Sequence, residues 1–244
     1  MSIVVVIPAY NAGRHLPGVV ARVAGVALPE LQRIVIVNDG STDDTLAVAR
    51  AAARTRPAPA LAVEVIDRPS NGGYGAAMKD GLESARAGDP EIVACVHADG
   101  QYSPEALPAL VAAMRARALD LLQGSRIASG TALSGGMPVY KYVANAVLNR
   151  IENATLGLRL TDYHSGYLLY GRRVLAAVPF YRLSDSFDFD LEVIAAARAR
   201  GMAIAEAPVP THYGDEVSHL APITYGLRVL RVMWNYRRGR YDPN

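Results

Sequence analysis

The 244-residue chain has a single cysteine, Cys95, so no internal disulfide can form, which fits a reducing compartment. Cys95 lies within an apolar run and reads as a small core residue rather than a nucleophile. No stretch of about 18 apolar residues runs unbroken, so no membrane-spanning helix is expected. The opening MSIVVVIPAY lacks the basic region and cleavage site of a signal peptide and begins directly as a strand. A cytoplasmic location is therefore expected, with a peripheral contact on the inner face of the cell membrane left open. A large excess of either charge is also missing: 25 Lys+Arg stand against 23 Asp+Glu, which argues against a nucleic-acid partner. There is no internal repeat or low-complexity segment, and RTRPAPALA is a short connection rather than an interdomain linker. What the chain does have is length and apolarity, 51% hydrophobic residues, enough for a sizeable core in one domain.

The first hundred residues alternate strand and helix signals. IVVVIP (3–8), RIVIVNDGS (33–41), ALAVEVIDRP (60–69) and EIVACVHAD (91–99) are continuous apolar or β-branched runs, the pattern of strands covered on both faces. Helical stretches follow at about 15–26 and 43–56 and after SNGG (70–73), and Ser103-Pro104 reads as an N-cap and first helical position. This alternation predicts an α/β fold with a mostly parallel sheet, in which ligands bind at the carboxyl ends of the strands. Tyr10, Asn11, Asp39, Arg68, His97 and Asp99 all fall at or just past such ends. Beyond about Gly124 the rhythm changes to a Gly/Ser-rich loop, a helix over 140–157, and the segments TDYHSGYLLYGRRVLAAV, SDSFDFDLEVIAAARARG and AIAEAPVPTHYG. The expected organisation is one domain over 1–244, with a nucleotide-binding half (1–123), an acceptor half (124–220), and a basic helix and tail (221–244). That last helix sets Leu227, Leu230 and Trp234 on one side and Arg228, Arg231, Arg237 and Arg238 among its polar positions. Such a helix can lie in a membrane interface, pack on its own domain, or join two copies in a homodimer.

Seven motifs occur in one order: VVIPAYN (5–11), VNDGSTDDT (37–45), NGGYGAAMKDGLESA (71–85), HADGQYSPE (97–105), DYHSGYLLYGRRVL (162–175), FDFDLEV (187–193) and THYGDEVSHL (211–220). In this order and spacing they resemble the family 2 glycosyltransferases, in particular the subgroup of dolichyl- and polyprenyl-phosphate sugar transferases. The resemblance implies the GT-A fold, a single Rossmann-like sheet with flanking helices, and inverting transfer from a nucleoside-diphosphate sugar. It implies a lipid-phosphate or related glycan or glycolipid acceptor. Transfer to a hydroxyl of a polysaccharide, glycolipid or natural product is the rival reading, and a non-catalytic nucleotide-sugar binding module is a third.

Roles follow from matching positions. Asp39 would accept a hydrogen bond from the base, with Pro8, Ala9, Tyr10 and Asn11 as its wall. Arg68 and the Asn71-Gly72-Gly73 loop would serve the nucleotide, since glycines admit close backbone approach and a helix N-terminus favours anions. The family's Asp-X-Asp, which holds Mg²⁺ or Mn²⁺, stands here as His97-Ala98-Asp99, so Asp99 with Gln101 becomes the metal set. His97 is left as ligand, donor contact or bystander. Arg126 matches an arginine that offsets phosphate charge. His164, Ser165 and Gly166 belong near the transferred sugar. Asp190 is the first choice for a base acting on a hydroxyl acceptor and Glu192 the second. His212 and His219, in the loop expected to close over the diphosphate, are further candidates. The chain departs from the family in Asn38, where an aspartate is usual, and in Ala12, where many relatives are acidic.

Overall fold

The computed structural model describes residues 2–55, 61–128, 130, 133, 137–210 and 222–243, with the backbone alone at 141, 222 and 223. His212 and His219 lie outside the described residues. The strands are β1 (Ile3–Ala9), β2 (Leu31–Asp39), β3 (Ala62–Arg68), β4 (Ile92–Cys95), β5 (Leu121–Ser125), β6 (Leu168–Gly171) and β7 (Ile204–Pro208). The helices are α1 (Leu16–Ala24), α2 (Thr45–Thr55), α3 (Tyr74–Arg86), α4 (Leu107–Ala116), α5 (Val139–Leu156), α6 (Arg172–Ala177), α7 (Phe189–Ala199) and α8 (Pro222–Arg237).

The strands form one sheet in the order β3-β2-β1-β4-β6-β5-β7. All pairs are parallel except those of β6, which runs antiparallel to both β4 and β5. The β-branched runs are buried on both faces because side chains alternate across a strand. Ile3, Val5 and Ile7 of β1 join Ile34 and Ile36 in a core under α1, α2 and α4, whereas Val4 and Val6 join Val35, Val37, Met78 and Leu82 in the core on the other face. Among the described residues no helix is long and apolar enough to cross a membrane.

Two local differences from the sequence reading bear on the site. The fourth strand ends at Cys95 rather than at Asp99. Val96 still donates to the Val6 carbonyl at 3.0 Å, but then Asp99 Oδ1 accepts the Gln101 N–H at 2.9 Å and the chain turns away. A side-chain acceptor two residues back offers the backbone an alternative to the ladder, so the strand stops. Ser103 does precede a helical turn, the 3₁₀ turn Pro104–Ala106 that leads into α4, but its hydroxyl makes no capping bond. It donates to Glu105, which is also gripped by both Arg22 Nε and Nη2 at 2.8 Å.

Candidate active site

β1, β2, β3 and β4 are parallel, so their carboxyl ends open on the same edge of the sheet. Asp39 closes β2 and is 3% exposed. Its Oδ1 accepts the Gly72 N–H and its Oδ2 the Gly73 N–H, each at 2.9 Å, and Arg68 Nε lies 2.9 Å from Oδ1. Arg68 also reaches Asp80, so this cation is held between two carboxylates. The Gly72 and Gly73 amides of the loop read as serving the nucleotide both point at Asp39, so in this structure the loop clamps that carboxylate. Gly73 needs its missing side chain: its φ is +97°, and a β-carbon there would sit 2.5 Å from the Asp185 carbonyl oxygen. Asn71 Oδ1 accepts the Gly73 N–H as well, at 2.9 Å. Ala9 is buried at the end of β1, Pro8 is half-buried, and Tyr10 is half exposed beside them. Asn11, with φ +49°, accepts the Thr42 N–H at 2.9 Å and donates its own to Ser41 Oγ at 3.0 Å, which ties this wall to the turn after β2. Asn38 is buried, donating its side-chain amide to Asp67 at 2.8 Å, so the replaced family aspartate has become part of the sheet's edge.

Past β4, His97 is wedged between the rings of Tyr74 and Tyr102, at centroid distances of 5.4 and 5.5 Å. Its Nε2 lies 3.2 Å from the Gly166 carbonyl, an acceptor, so the proton is assigned to Nε2. Burial pulls the imidazole pKa below its ordinary value, so the ring is neutral near pH 7. Ala98 is buried, and Asp99 and Gln101 are half-buried. Asp99 spends Oδ1 on the Gln101 N–H, while Oδ2 has no hydrogen-bond partner among the described residues. No three His, Cys, Asp or Glu side chains converge among those residues. One carboxylate oxygen suits a hard divalent ion that brings phosphate and water ligands with it, and does not suit a protein-caged one.

On the far side of Tyr74 lies Asp190, in the first turn of α7 and 5% exposed. Its Oδ2 accepts from the Tyr74 hydroxyl at 2.8 Å and its Oδ1 from the Tyr170 hydroxyl at 3.3 Å. Burial raises its pKa to about 7, against the pull of the two hydroxyls. Gly166, at φ +71°, lets the groups meet: a β-carbon there would lie 2.5 Å from His97 Nε2 and 3.5 Å from Asp190 Oδ2. Gly166→Ala is therefore expected to cost about 1–3 kcal/mol, from left-handed backbone and displacement of His97, read as a fall in the unfolding midpoint.

The model of the family described as "Glycosyl transferase family 2" matches residues 4–178. The chain belongs to glycosyltransferase family 2. Polyprenol monophosphomannose synthase of Mycolicibacterium smegmatis is 32% identical over 206 residues, 84% of this chain and 75% of that protein. Undecaprenyl-phosphate mannosyltransferase of Micrococcus luteus is 30% identical over 212 residues, 86% of this chain and 83% of its own. Among solved structures, glucosyl-3-phosphoglycerate synthase from Mycobacterium tuberculosis in complex with uridine diphosphate superposes with a TM-score of 0.71 at 20% identity, covering 96% of this chain and 79% of that one. The architecture is the GT-A fold.

The remaining positions of this glycosyltransferase separate into those that face His97 and Asp190 and those behind them. Gly166 faces both, but Ser165 is 2% exposed, and its hydroxyl is spent on Gln123, the Gly124 carbonyl and the Tyr167 N–H. It braces β5, so the sequence reading that set it beside the sugar meets a side chain turned into the core. Glu192 also points away from Asp190. Two residues on along a helix reverse the facing, and its oxygens accept from the Ser184 N–H and from the Tyr241 hydroxyl, the latter at 2.7 Å. Arg126 grips buried Asp162 through Nε at 2.7 Å and Nη2 at 2.9 Å. His164 donates its backbone N–H to Asp162 at 3.1 Å, and its Nδ1 is 2.9 Å from the Tyr225 hydroxyl of α8. Its Nε2 is 3.4 Å from Glu152, whose carboxylate is fully buried without a hydrogen bond among the described residues.

Tyr74, Tyr170 and Asp162 are the residues that reading from the sequence passed over. Tyr74 stands inside NGGYGAA and Asp162 and Tyr170 inside DYHSGYLLY, so all three lay in motifs already marked. Their roles depend on partners far away in the chain, which no local pattern reports.

Proposed function

We propose that this glycosyltransferase is a metal-dependent inverting enzyme that moves a sugar from a nucleoside-diphosphate sugar to a polyprenyl phosphate. The single observation that carries the acceptor is the likeness, at 30–32% identity over most of the chain, to two proteins named for polyprenol and undecaprenyl-phosphate mannosyl transfer. In this reading the base lies against Pro8, Ala9 and Tyr10 with Asp39 at its edge, and Asp39 keeps lone pairs for it beyond the loop amides it binds. Asp99 Oδ2 is the protein's ligand to Mg²⁺ or Mn²⁺. When bound, such an ion offsets the charge of the departing diphosphate. An acceptor phosphate oxygen is already an anion, so it can attack the anomeric carbon from the face opposite the diphosphate without a protein base. Asp190, with its pKa near 7, tolerates that anion in its protonated form and orients the sugar beside His97 and Gly166.

A second reading rests on the same pKa. A carboxylate poised near 7 is well matched to removing a proton from a hydroxyl acceptor. Transfer of labelled sugar to polyprenyl phosphate, against a glycan acceptor, separates the two.

Asp99→Asn tests the metal assignment without disturbing the turn, because Oδ1 can still accept the Gln101 N–H. Metal-stimulated nucleotide release is expected to fall roughly a thousandfold, the scale of a charge interaction worth several kcal/mol in the transition state. Release that is metal-dependent and lost in this variant excludes a module that only binds nucleotide sugars. Equal release by the two proteins would remove Asp99 from the mechanism.

A further inference from the structure

We propose that the uncovered faces of α5 and α8 form a docking surface for an anionic lipid bilayer. The two helices pack on one another, and each leaves large apolar side chains in solvent. On α8 these are Leu227, Leu230 and Trp234, between 45% and 64% exposed, while Val229, Val232 and Met233 on the opposite side are buried in the core. On α5, Val139, Val143 and Val147 recur every fourth residue and are each more than half exposed. Exposed apolar side chains at helical spacing on two helices that pack together are beyond the scattered apolar exposure normal for a soluble surface.

Charge selects the occupant. Among the described side chains of the two helices, the exposed charged groups are all cationic: Arg150, Arg231 and Arg237. The only carboxylate of α5, Glu152, is fully buried, and α8 has none. Beside Arg231, a groove of about 600 Å³ is lined also by Arg182, Arg200 and Arg240, against the carboxylates of Glu192 and Asp242. Both Glu192 oxygens are already hydrogen-bonded. Apolar stripe, flanking arginines and basic groove together match acyl chains under phosphate headgroups. A second copy fits less well. A two-fold contact would set this patch against itself, with arginines outnumbering the one exposed carboxylate described beside them, Asp242.

The surface is joined to the site. Tyr225 of α8 holds His164 at 2.9 Å, and Arg228 bonds Asp188, two residues before Asp190, at 3.0 Å. The inference thus deepens the lipid-acceptor reading, since it brings the candidate site to the layer that carries such an acceptor, but its test uses no acceptor.

Trp234 is the only tryptophan in the chain, so emission excited beyond the absorption of tyrosine reports on this face alone. Titration with phosphatidylglycerol-containing vesicles free of polyprenyl phosphate, at low ionic strength, is expected to shift its emission to shorter wavelength. Loss of three arginine contacts in pure phosphatidylcholine is expected to weaken partitioning about a hundredfold, about fivefold for each. Leu227→Asp and Leu230→Asp, at exposed positions that leave the fold intact, are each expected to weaken it roughly tenfold while donor-dependent nucleotide release in solution is kept. Unchanged emission with anionic vesicles would overturn the proposal. A blue shift that instead follows protein concentration without lipid, together with a dimer in sedimentation equilibrium, would assign the face to a second copy and overturn it equally. Vesicle binding without transfer to polyprenyl phosphate removes only the acceptor reading. Transfer in detergent without vesicle binding removes only the docking surface.

Discussion

Asp190→Asn is expected to make the protein more stable above pH 7 and to change its rate in a way that depends on the acceptor. The stability effect follows from burial. The carboxyl titrates at about 7 in the fold against 3.8 as its ordinary value. Below about pH 4 both folded and unfolded chains hold the proton, and the group contributes nothing. Between about 4 and 7 the unfolded chain has lost the proton while the folded one keeps it, so stability falls as pH rises. Above 7 the loss is complete, at roughly 4 kcal/mol. Asparagine has no such titration. The difference in unfolding midpoint between variant and parent should therefore be small at pH 4, grow to pH 7 and then level off. A pH-independent difference would show that Asp190 is ionised throughout. For catalysis, a hydroxyl acceptor needs the base, and its loss should slow transfer by about 10²–10⁴-fold. A phosphate acceptor does not need it, and the variant should keep most of its rate. A large loss with polyprenyl phosphate would overturn the orienting role assigned to Asp190.

Asp39→Ala is expected to be the most damaging change at the nucleotide end. It removes a carboxylate that accepts two loop amides and faces Arg68, and it leaves that guanidinium with Asp80 and the Ala76 carbonyl. Removing one partner from a buried, hydrogen-bonded charge pair typically costs about 3–5 kcal/mol. Arg68 is 21% exposed and Asp39 nearly enclosed, which places the expectation at the lower end, about 3 kcal/mol, in denaturant unfolding. Because the 71–73 loop enters α3 at Tyr74, the same change should loosen the hydroxyl that holds Asp190. Nucleotide affinity by calorimetry should fall at least tenfold, and the Asp190 titration should shift with it. Lost nucleotide binding at unchanged stability would mean that Asp39 touches ligand but does not hold the loop.

The strands were legible because β-branched runs buried on both faces can hardly be anything else, and parallel packing puts their polar ends on one edge. Asp39, His97 and Asp99 could be singled out on that ground alone. The antiparallel entry of β6 could not, since LLYG has no direction of its own and is placed by pairing with β4 and β5. Nor could the split within motifs. Ser165 and Gly166 are neighbours in DYHSGYLLY, yet the hydroxyl of one is locked behind β5 while the other opens space for His97. Asp190 and Glu192 are two residues apart, and about half a turn of helix sends them to different partners.

The sequence by itself determined the family and the edge of the sheet on which Asp39, His97 and Asp99 gather, because both follow from short-range patterns of burial and from motifs kept in order. The tertiary structure alone decided the protonation of Asp190 and the neutral state of His97, since both depend on desolvation by residues distant in the chain. It decided as well that the Gly-rich loop clamps Asp39, because an amide's partner is a matter of where the chain folds back.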